Sequence, residues 1–290
     1  MNNVLTLIAE DLVDQQVAHA RNLLPGAVQE NWLKPGKACD LYFDGEMAEI
    51  AEFVRAAFAG QAIDLLVQQT KNRRKKLLLA DMDSTIITIE CIDELADLMG
   101  LKAEISAITE QAMRGEIEFT EALRHRVQKL TGIHRRDVQR VVDERIVLST
   151  GARTMVQTMR AHGAFTALVS GGFTFFTEQV RLQAGFDVDR ANSLVFRDDE
   201  LSGELIEPIL DSSAKLKSLQ DFQRQWKLTV DQTAAIGDGA NDIPMLEAAG
   251  LGIAYRAKPA TRAAAGASID HTDLTSVLYF QGYNASEFVT

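Results

Sequence analysis

The sequence predicts an α/β protein in which a doubly wound parallel sheet carries a helical insertion and follows a small α+β domain. Three observations lead to this fold class. From Leu77 onward, short apolar stretches alternate with helical segments, as in a parallel sheet covered on both faces. Residues 92–148 interrupt that alternation with helical periodicity alone. In the first 72 residues, the predicted strands and helices follow a different order.

The small N-terminal domain is predicted at residues 1–72. Apolar patterning indicates the order βαββαβ, with strands at 4–9, 28–33, 38–43 and 63–67 and helices at 12–24 and 46–58. This is the ferredoxin-like order, and it resembles that of small regulatory domains of the ACT type. We expect this domain to regulate or dimerise the protein, because no constellation of catalytic residue types occurs in it.

A basic segment at residues 71–76 separates this domain from the rest of the chain. Five of its six residues are lysine or arginine, and apolar stretches flank it on both sides. Such a run of like charges is typical of a solvated linker, and we prefer this interpretation to a nucleic-acid patch. The larger domain is therefore predicted at residues 73–290.

Composition excludes several classes of protein. The 290 residues are 46% hydrophobic and 24% charged, as in ordinary globular proteins, and no apolar run approaches the roughly 20 residues of a membrane span. The N-terminus lacks the basic and apolar regions of a signal peptide, and Cys39 and Cys91 are too few for a disulfide framework. The net charge of −11 disfavours duplex nucleic acid as a partner. We expect a cytoplasmic protein that binds neither nucleic acid nor membrane.

Two acidic clusters follow predicted strands of the larger domain. The segment DMDST occupies residues 81–85 and the segment GDGAND occupies residues 237–242. Taken alone, each is explained more simply by helix capping or by a turn. Because the carboxyl ends of parallel strands meet at one edge of a sheet, the two clusters together predict an oxygen-rich site suited to Mg²⁺.

Two further segments could bind a phosphate group at the same edge. The segment SGG at residues 170–172 offers a hydroxyl and exposed backbone N–H groups. Either Lys215 or Lys217 could add a positive charge.

These segments resemble the four motifs of the haloacid dehalogenase superfamily. Residues 81–85 match its first motif, DxDxT, Ser170 its second, Lys215 its third, and residues 237–242 its fourth, GDGxND. Further stretches resemble the phosphoserine phosphatases within it, namely Glu90, residues 113–115, Phe119 with Arg126, residues 169–174 and residues 237–246. The resemblance runs from about residue 77 to about residue 258 and leaves most of the N-terminal domain uncovered.

The resemblance implies a role for each matched residue. Asp81 would be the nucleophile that forms an aspartyl-phosphate. Asp83 would be the general acid for the leaving group and then the base for water. Mg²⁺ would be held by Asp81, the backbone carbonyl of Asp83, and Asp238. The phosphoryl group would be bound by Ser170, Gly171, Lys215 and Asn241, with Asp242 in support.

The helical insertion places an arginine among apolar residues. Phe119, Leu123, Val127 and Leu130 recur at helical spacing, and Arg126 falls within their stripe. An inward arginine needs an anionic partner. The residues alone slightly favour an arginine at the edge of the stripe or in an intramolecular ion pair.

The resemblance assigns Arg126 to the carboxylate of a substrate instead. Glu90 would then bind the substrate ammonium, and Met113 and Phe119 would close the pocket around its methylene group.

The implied activity is Mg²⁺-dependent hydrolysis of O-phospho-L-serine to L-serine and phosphate, the last step of phosphorylated serine biosynthesis. The expected partner is this small molecule, with a homodimer as the candidate assembly. One alternative is a phosphatase or phosphotransferase for another small phosphate ester. A second is a response-regulator-like module in which Asp81 is phosphorylated as a switch, although Asp83 and the insertion count against it.

Overall fold

The computed structural model describes residues 1–113 and 116–290, and it begins with a four-stranded antiparallel sheet. The sheet has the order β2-β3-β1-β4 and carries two helices. The elements are β1 (Asn3–Ile8), α1 (Asp14–Leu23), β2 (Gln29–Lys34), β3 (Ala38–Phe43), α2 (Met47–Ala57) and β4 (Asp64–Gln69). The predicted ferredoxin-like α+β fold is confirmed.

The two faces of this sheet pack against different parts of the chain, because side chains alternate along each strand. Leu5, Leu7 and Leu41 belong to the core that the sheet forms with α1 and α2. Ile8 and Leu66 belong instead to the core of the larger part of the chain. The inner strands β1 and β3 are therefore buried on both faces, whereas the edge strand β2 is mostly exposed.

The interpretation of the basic segment as a solvated linker is wrong for Arg73 and Lys75, which are buried. Arg73 is only 7% exposed. Its Nη1 lies 2.6 Å from Asp40 Oδ2 and its Nη2 lies 2.7 Å from Asp40 Oδ1. It also donates to the carbonyl oxygens of Tyr279 at 3.0 Å and Phe280 at 2.8 Å. Charge counting treats all six residues of the segment alike. The fold buries this cation between the small sheet and residues 279–280 of the larger part, where an arginine needs a carboxylate.

Asp64 makes a second polar contact between the two parts. Its carboxylate accepts hydrogen bonds from the backbone N–H groups of Asp270 at 2.8 Å and Thr272 at 3.0 Å. The hydroxyl of Thr272 donates to it at 2.6 Å. The start of β4 is thus fixed to a loop of the larger part.

The larger sheet has seven strands in the order β11-β10-β9-β5-β6-β7-β8. All neighbouring strands are parallel except β7 and β8, which form an antiparallel hairpin at one edge. The strands are β5 (Leu77–Ala80), β6 (Phe165–Phe173), β7 (Val188–Arg197), β8 (Glu200–Ile206), β9 (Thr233–Gly237), β10 (Leu251–Tyr255) and β11 (Ala267–Ile269). The predicted parallel sheet is confirmed, with β5 at its centre as a fully buried apolar strand.

The helical insertion connects β5 to the next helix of the sheet domain. Its helices are α3 (Cys91–Asp97), α4 (Lys102–Met113), α5 (Phe119–Lys129) and α6 (Arg135–Arg145). The chain enters and leaves through two antiparallel segments, since Thr88 N–H donates to Val147 O at 3.1 Å and Ser149 N–H donates to Ile86 O at 2.8 Å. We call residues 88–147 the cap.

The hairpin of β7 and β8 supports the cap from the opposite edge. Gly132 N–H donates to Leu201 O at 2.9 Å, and Leu201 N–H donates to Ile133 O at 2.9 Å. Arg135 N–H donates to Asp199 O at 2.8 Å. The cap is thus held by backbone hydrogen bonds at its base and at this hairpin.

Outside the cap, the described part of the chain contains six further α-helices. They are α7 (Ala152–Ala161), α8 (Thr174–Ala184), α9 (Ser212–Gln225), α10 (Ile243–Ala248), α11 (Pro259–Ala264) and α12 (Ser276–Phe280). Among the residues that the structure describes, no helix has both the length and the apolar character needed to cross a bilayer.

Candidate active site

A cavity of about 330 Å³ lies between the cap and the carboxyl ends of β5, β6 and β9. Apolar side chains of the cap line one side of it, and the polar residues of the predicted motifs line the other. Nine of the predicted site residues line this cavity: Asp81, Asp83, Glu90, Phe119, Arg126, Ser170, Gly171, Asp238 and Asn241. The segments predicted to meet at one edge of the sheet therefore line a single pocket.

The turn after β5 presents two carboxylates to this cavity. Asp81 follows the strand directly, and the next turn has irregular backbone angles, with Ser84 in the left-handed region at φ +55°. Ser84 Oγ donates to Glu90 Oε1 at 2.5 Å. The buried Thr85 donates to Asp238 Oδ1 at 3.0 Å and so joins this turn to the loop after β9.

Lys215 on α9 lies beneath the carboxylates. It is fully buried, and its Nζ lies 2.7 Å from Asp81 Oδ1 and 2.6 Å from Asp242 Oδ1. Lys217 lies on the surface, 2.7 Å from Asp221. Of the two lysines proposed for the phosphate site, the structure thus places Lys215 beside the carboxylates.

Asp242 is fully engaged by its neighbours. Its Oδ1 receives Lys215, and its Oδ2 accepts the backbone N–H groups of Asp238 at 3.1 Å and Gly239 at 3.0 Å. Gly237 is required beside it, because a Cβ atom there would collide with the Asp242 carboxylate. Asp242 therefore holds the loop and the lysine in place.

The carboxylates outnumber the cations in this cluster. Asp81, Asp238 and Asp242 each offer an oxygen within 4.8 Å of the others. Burial, followed by the charge of Asp242, raises the pKa of Asp81 well above its usual range and that of Asp238 to about 7. Burial acts to lower the pKa of Lys215, but the charges of Asp242 and Asp81 outweigh it and raise that pKa. Ionisation of all three carboxyl groups would thus leave an excess of negative charge over the single lysine, which a bound cation would stabilise.

The donor set fits a hard divalent cation. Asp81 Oδ1 is buried, and no hydrogen-bond donor is aligned on it, although the Lys215 ammonium lies at ion-pair distance. Asp81 and Asp238 both line the cavity. Oxygen ligands of this kind are those that Mg²⁺ and Ca²⁺ prefer, so a metal site at this position is consistent with the structure.

Asp83 is held between the cap and β6. Its Oδ1 accepts the backbone N–H of Cys91 at 3.0 Å, and Ser170 Oγ lies 3.4 Å from its Oδ2. Ser170 Oγ itself accepts the N–H of Gly172 at 2.9 Å. A Cβ atom on Gly172 would lie 2.8 Å from Asp83 Oδ2, so a glycine permits this close approach. Burial raises the pKa of Asp83, which favours its protonated form.

Arg126 enters the cavity from the cap without an acidic partner. It is 5% exposed, and its Nε and Nη1 donate to Ala122 O at 3.2 Å and to Thr109 Oγ1 at 2.8 Å. Among the described residues, no carboxylate lies within 4 Å of its guanidinium. The intramolecular ion pair that the residues alone favoured is therefore wrong, as is a position at the solvated edge.

Glu90 is a further polar group on the cap side of the cavity. Burial, followed by the charge of Asp83, raises the pKa of Glu90 well above its usual range. A ligand ammonium at this position would favour the ionised carboxylate. Phe119 packs against the opposite loop, since a Cβ atom on Gly171 would lie 2.9 Å from its ring.

One predicted contact cannot be placed. The side chain of Met113 lies outside the part of the chain that the structure describes.

Sequence reasoning missed several residues of the site. Thr109 contacts Arg126 across two helices, and Asn192 donates to the carbonyl of Gly171 at 2.8 Å. Neither belongs to a motif, and each reaches its partner only through the tertiary fold. Thr85 is part of the first motif, but the spacing of residues along the sequence does not predict its hydrogen bond to Asp238.

This fold and site are shared with a known class of enzymes. The family model of haloacid dehalogenase-like hydrolases matches residues 78–247, and the chain belongs to this family. A solved structure of a haloacid dehalogenase family hydrolase from Salmonella enterica subsp. enterica serovar Typhi superposes with a TM-score of 0.87 at 28% identity, covering 96% of this chain and 97% of that one.

Curated relatives identify the branch of the family. The chain is 45% identical over 202 residues to a phosphoserine phosphatase of Idiomarina loihiensis, which covers 70% of this chain and 91% of that protein. It is 43% identical over 215 residues to a phosphoserine phosphatase of Mycobacterium tuberculosis, covering 74% of this chain and 52% of that longer protein. Within the hydrolase family, the chain thus belongs with the phosphoserine phosphatases.

Proposed function

We propose that the protein hydrolyses O-phospho-L-serine to L-serine and phosphate with the help of Mg²⁺. The observation that carries this proposal is the buried Arg126, which has no carboxylate partner among the described residues and lines the same cavity as Glu90 and Asp81. A ligand with a carboxylate, an ammonium and a phosphate matches these three groups.

The phosphate reacts at the sheet side of the cavity. An oxygen of the Asp81 carboxylate attacks phosphorus, the bond to the serine oxygen breaks, and an aspartyl-phosphate forms. Asp83 gives its proton to the departing serine oxygen, and its raised pKa supports this role. Asp83 then takes a proton from water, whose oxygen displaces Asp81 from phosphorus and releases phosphate.

The surrounding groups hold the phosphoryl oxygens. Lys215, Ser170, Gly171 and Asn241 bind them, and Asp242 keeps Lys215 in place. The Asp81 and Asp238 carboxylates, with the backbone carbonyl of Asp83, would hold Mg²⁺, which when bound offsets the negative charge of the phosphate and the carboxylates.

The amino-acid end of the substrate lies toward the cap. Arg126 binds its carboxylate through two N–H groups, and Glu90 binds its ammonium. Phe119 encloses its methylene group, and the same role for Met113 stays a prediction from the sequence. These contacts select the substrate, because an ester without a carboxylate leaves the buried Arg126 unpaired.

The wider setting is also part of the proposal. The enzyme would act in the cytoplasm as the last step of phosphorylated serine biosynthesis, and both cysteines are buried free thiols, in keeping with a reducing compartment. The division into a domain at residues 1–72 and a phosphatase domain at 73–290, with the cap as an insertion, remains a prediction. We also keep three further points as predictions. The small domain dimerises or regulates the protein, nucleic acid is not a partner, and a membrane is not a partner.

Product release from matched phosphate esters tests the proposed function. We expect equal amounts of L-serine and phosphate from O-phospho-L-serine with Mg²⁺, and no turnover with EDTA. Phosphoethanolamine lacks the carboxylate and 3-phosphoglycerate lacks the ammonium, so both should react with a much lower kcat/KM. A higher kcat/KM for either ester, or serine release without phosphate release in the presence of an alcohol acceptor, would overturn the proposal in favour of another phosphatase or a phosphotransferase.

A further inference from the structure

The cap contains a polar network that no motif includes, and it ends at Arg126. Asp93 lies on α3, Ser106 and Thr109 on α4, and Arg126 on α5. We propose that Thr109 positions the Arg126 guanidinium for the substrate carboxylate and that Asp93 compensates its charge without contacting it. This inference rests on the proposed function.

The distances define a chain of contacts. Ser106 Oγ donates to Asp93 Oδ2 at 2.6 Å. Thr109 Oγ1 lies 3.5 Å from Asp93 Oδ1 and accepts from Arg126 Nη1 at 2.8 Å. Thr109 is 5% exposed and lines the cavity beside Arg126. A hydroxyl thus stands between the carboxylate and the guanidinium.

The hydroxyl of Thr109 accepts a hydrogen bond from Arg126 whichever way its own proton points. That proton has two acceptors in reach, Ile105 O at 3.0 Å and Asp93 Oδ1 at 3.5 Å, and donation to either leaves a lone pair for Arg126. Because α4 carries both Ile105 and Thr109, the position of the guanidinium follows the position of that helix. A valine at position 109 would keep the shape but lose this acceptor.

A hydroxyl suits this position better than a carboxylate. An arginine has five N–H donors, of which Arg126 uses one for Ala122 O and one for Thr109 Oγ1. Three donors remain for a ligand. A carboxylate in direct contact would occupy two of them and neutralise the charge that recognises the substrate.

Asp93 acts on Arg126 through its charge. Burial lowers the pKa of Arg126, and the charge of Asp93 is the strongest influence opposing that shift, ahead of Glu90 and Asp83. The buried cation is therefore stabilised while its outer N–H groups stay available. This arrangement makes Thr109 and Asp93 positioning residues for substrate selection rather than catalytic residues.

Steady-state kinetics on two substrates test the inference. Thr109→Val should raise KM for O-phospho-L-serine by about tenfold, as expected for loss of a hydrogen bond to a charged group. It should leave the kinetics of p-nitrophenyl phosphate, which has no carboxylate, within about twofold. Thr109→Ser keeps the hydroxyl and should restore a KM near that of the unmodified enzyme. Asp93→Asn should raise KM in the same selective way.

A variant that carries both Arg126→Ala and Thr109→Val, compared with the single variants, distinguishes a failure of the proposed function from a failure of the positioning inference. In an Arg126→Ala background, Thr109→Val should add less than about twofold to KM, because the group that it positions is gone. If Arg126→Ala has no selective effect on O-phospho-L-serine, the proposed function fails. If Arg126→Ala is selective while Thr109→Val and Asp93→Asn are not, only the positioning inference is overturned. Equal losses on both substrates would make Thr109 a structural residue and would also overturn it.

Discussion

At the scale of single residues, the Asp81 carboxylate is both the proposed nucleophile and a source of repulsion in the folded protein. Its burial and the nearby charge of Asp242 raise its pKa, so its ionised form is disfavoured in the metal-free fold. Asp81→Asn keeps the shape but removes the attacking anion. We expect loss of nearly all turnover with a metal-free melting temperature no lower than that of the unmodified protein.

The control for this prediction is Asp83→Asn, which removes proton transfer instead. Proton transfer typically contributes about 10²–10⁴-fold to the rate. Phosphate release and thermal unfolding of both variants provide the measurements. An Asp81→Asn protein with near-normal turnover would contradict covalent catalysis.

Asp238 makes metal binding depend on pH. Its pKa is raised to about 7, chiefly by burial and then by Asp242, so below that pH the metal-free site holds a proton on this carboxyl. Bound Mg²⁺ must displace that proton, and affinity therefore falls as the pH falls. We expect binding to be about tenfold weaker at pH 6 than at pH 8.

Calorimetric titration of Mg²⁺ in two buffers of different ionisation enthalpy measures this effect. Proton release should be larger at pH 6 than at pH 8, because Asp238 is mostly ionised at the higher pH. In the Asp238→Asn variant, binding should weaken and its pH dependence should flatten. Equal affinity at both pH values in the unmodified protein would refute the link to Asp238.

Local motifs were enough to predict which acidic residues meet in one pocket, while the catalytic and metal-binding roles of these residues stay predictions. Asp81, Asp83 and Asp238 follow buried strands, and a parallel sheet brings such positions to one edge. The sequence did not decide between Lys215 and Lys217, because both lie on α9 and only packing shows which one is buried. Thr109 was missed because its partner lies on another helix.

At the scale of elements, the contact of the basic segment with the small sheet is the clearest departure from expectation. Arg73→Ala would leave Asp40, which is fully buried, without its cation. Removing one partner of a buried pair typically costs about 3–5 kcal/mol. We expect a loss of this order in the free energy of unfolding by urea.

Arg74 provides a matched control one residue away. It pairs with Glu287 at 2.8 Å, but its side chain is 44% exposed. Surface pairs of this kind contribute about 0–1 kcal/mol, so Arg74→Ala should have little effect on unfolding. Similar losses in the free energy of unfolding from Arg73→Ala and Arg74→Ala would show that the burial of Arg73 does not determine its contribution to stability.

Helices and strands were predictable where a single hydrophobic pattern extends over the whole element. The strand at 77–80 is a continuous apolar run and begins at Leu77, where the sequence predicted the start of the strand–helix alternation. The hairpin of β7 and β8 was not predicted, since β8 contains Glu200 and Glu204 and lies at a partly exposed edge. Its conformation depends on pairing with β7 and on contact with the cap, and neither is encoded locally.

At the scale of the whole molecule, the two sheets share a core. Ile8 and Leu66 from the small sheet belong to the same apolar cluster as Leu274 and Leu278 from the larger part. A fragment beginning at residue 73 would expose that cluster and lose the carboxylates of Asp40 and Asp64. We therefore expect the fragment to be less soluble and to melt at a lower temperature than the full chain, contrary to a freely separable regulatory domain.

Gel filtration and thermal unfolding of the full chain and of the fragment provide the test. Co-expression of residues 1–72 as a separate chain serves as the control and should recover part of the lost stability. A monomeric fragment with the melting temperature of the full chain would contradict the shared core.

The backbone hydrogen bonds between the cap and the hairpin also allow the opening of the cap to be measured by hydrogen exchange. The amide hydrogens of Gly132, Arg135 and Leu201 are engaged across that contact and exchange with solvent only when it separates. Their protection factors, which are the exchange rates corrected for the intrinsic rate of each amide, therefore report the free energy of opening between the cap and the hairpin. We expect the three amides to share one protection factor and O-phospho-L-serine to raise all three together. Three unrelated protection factors would indicate fraying of single bonds, and the cap would then have no collective opening for the substrate to control.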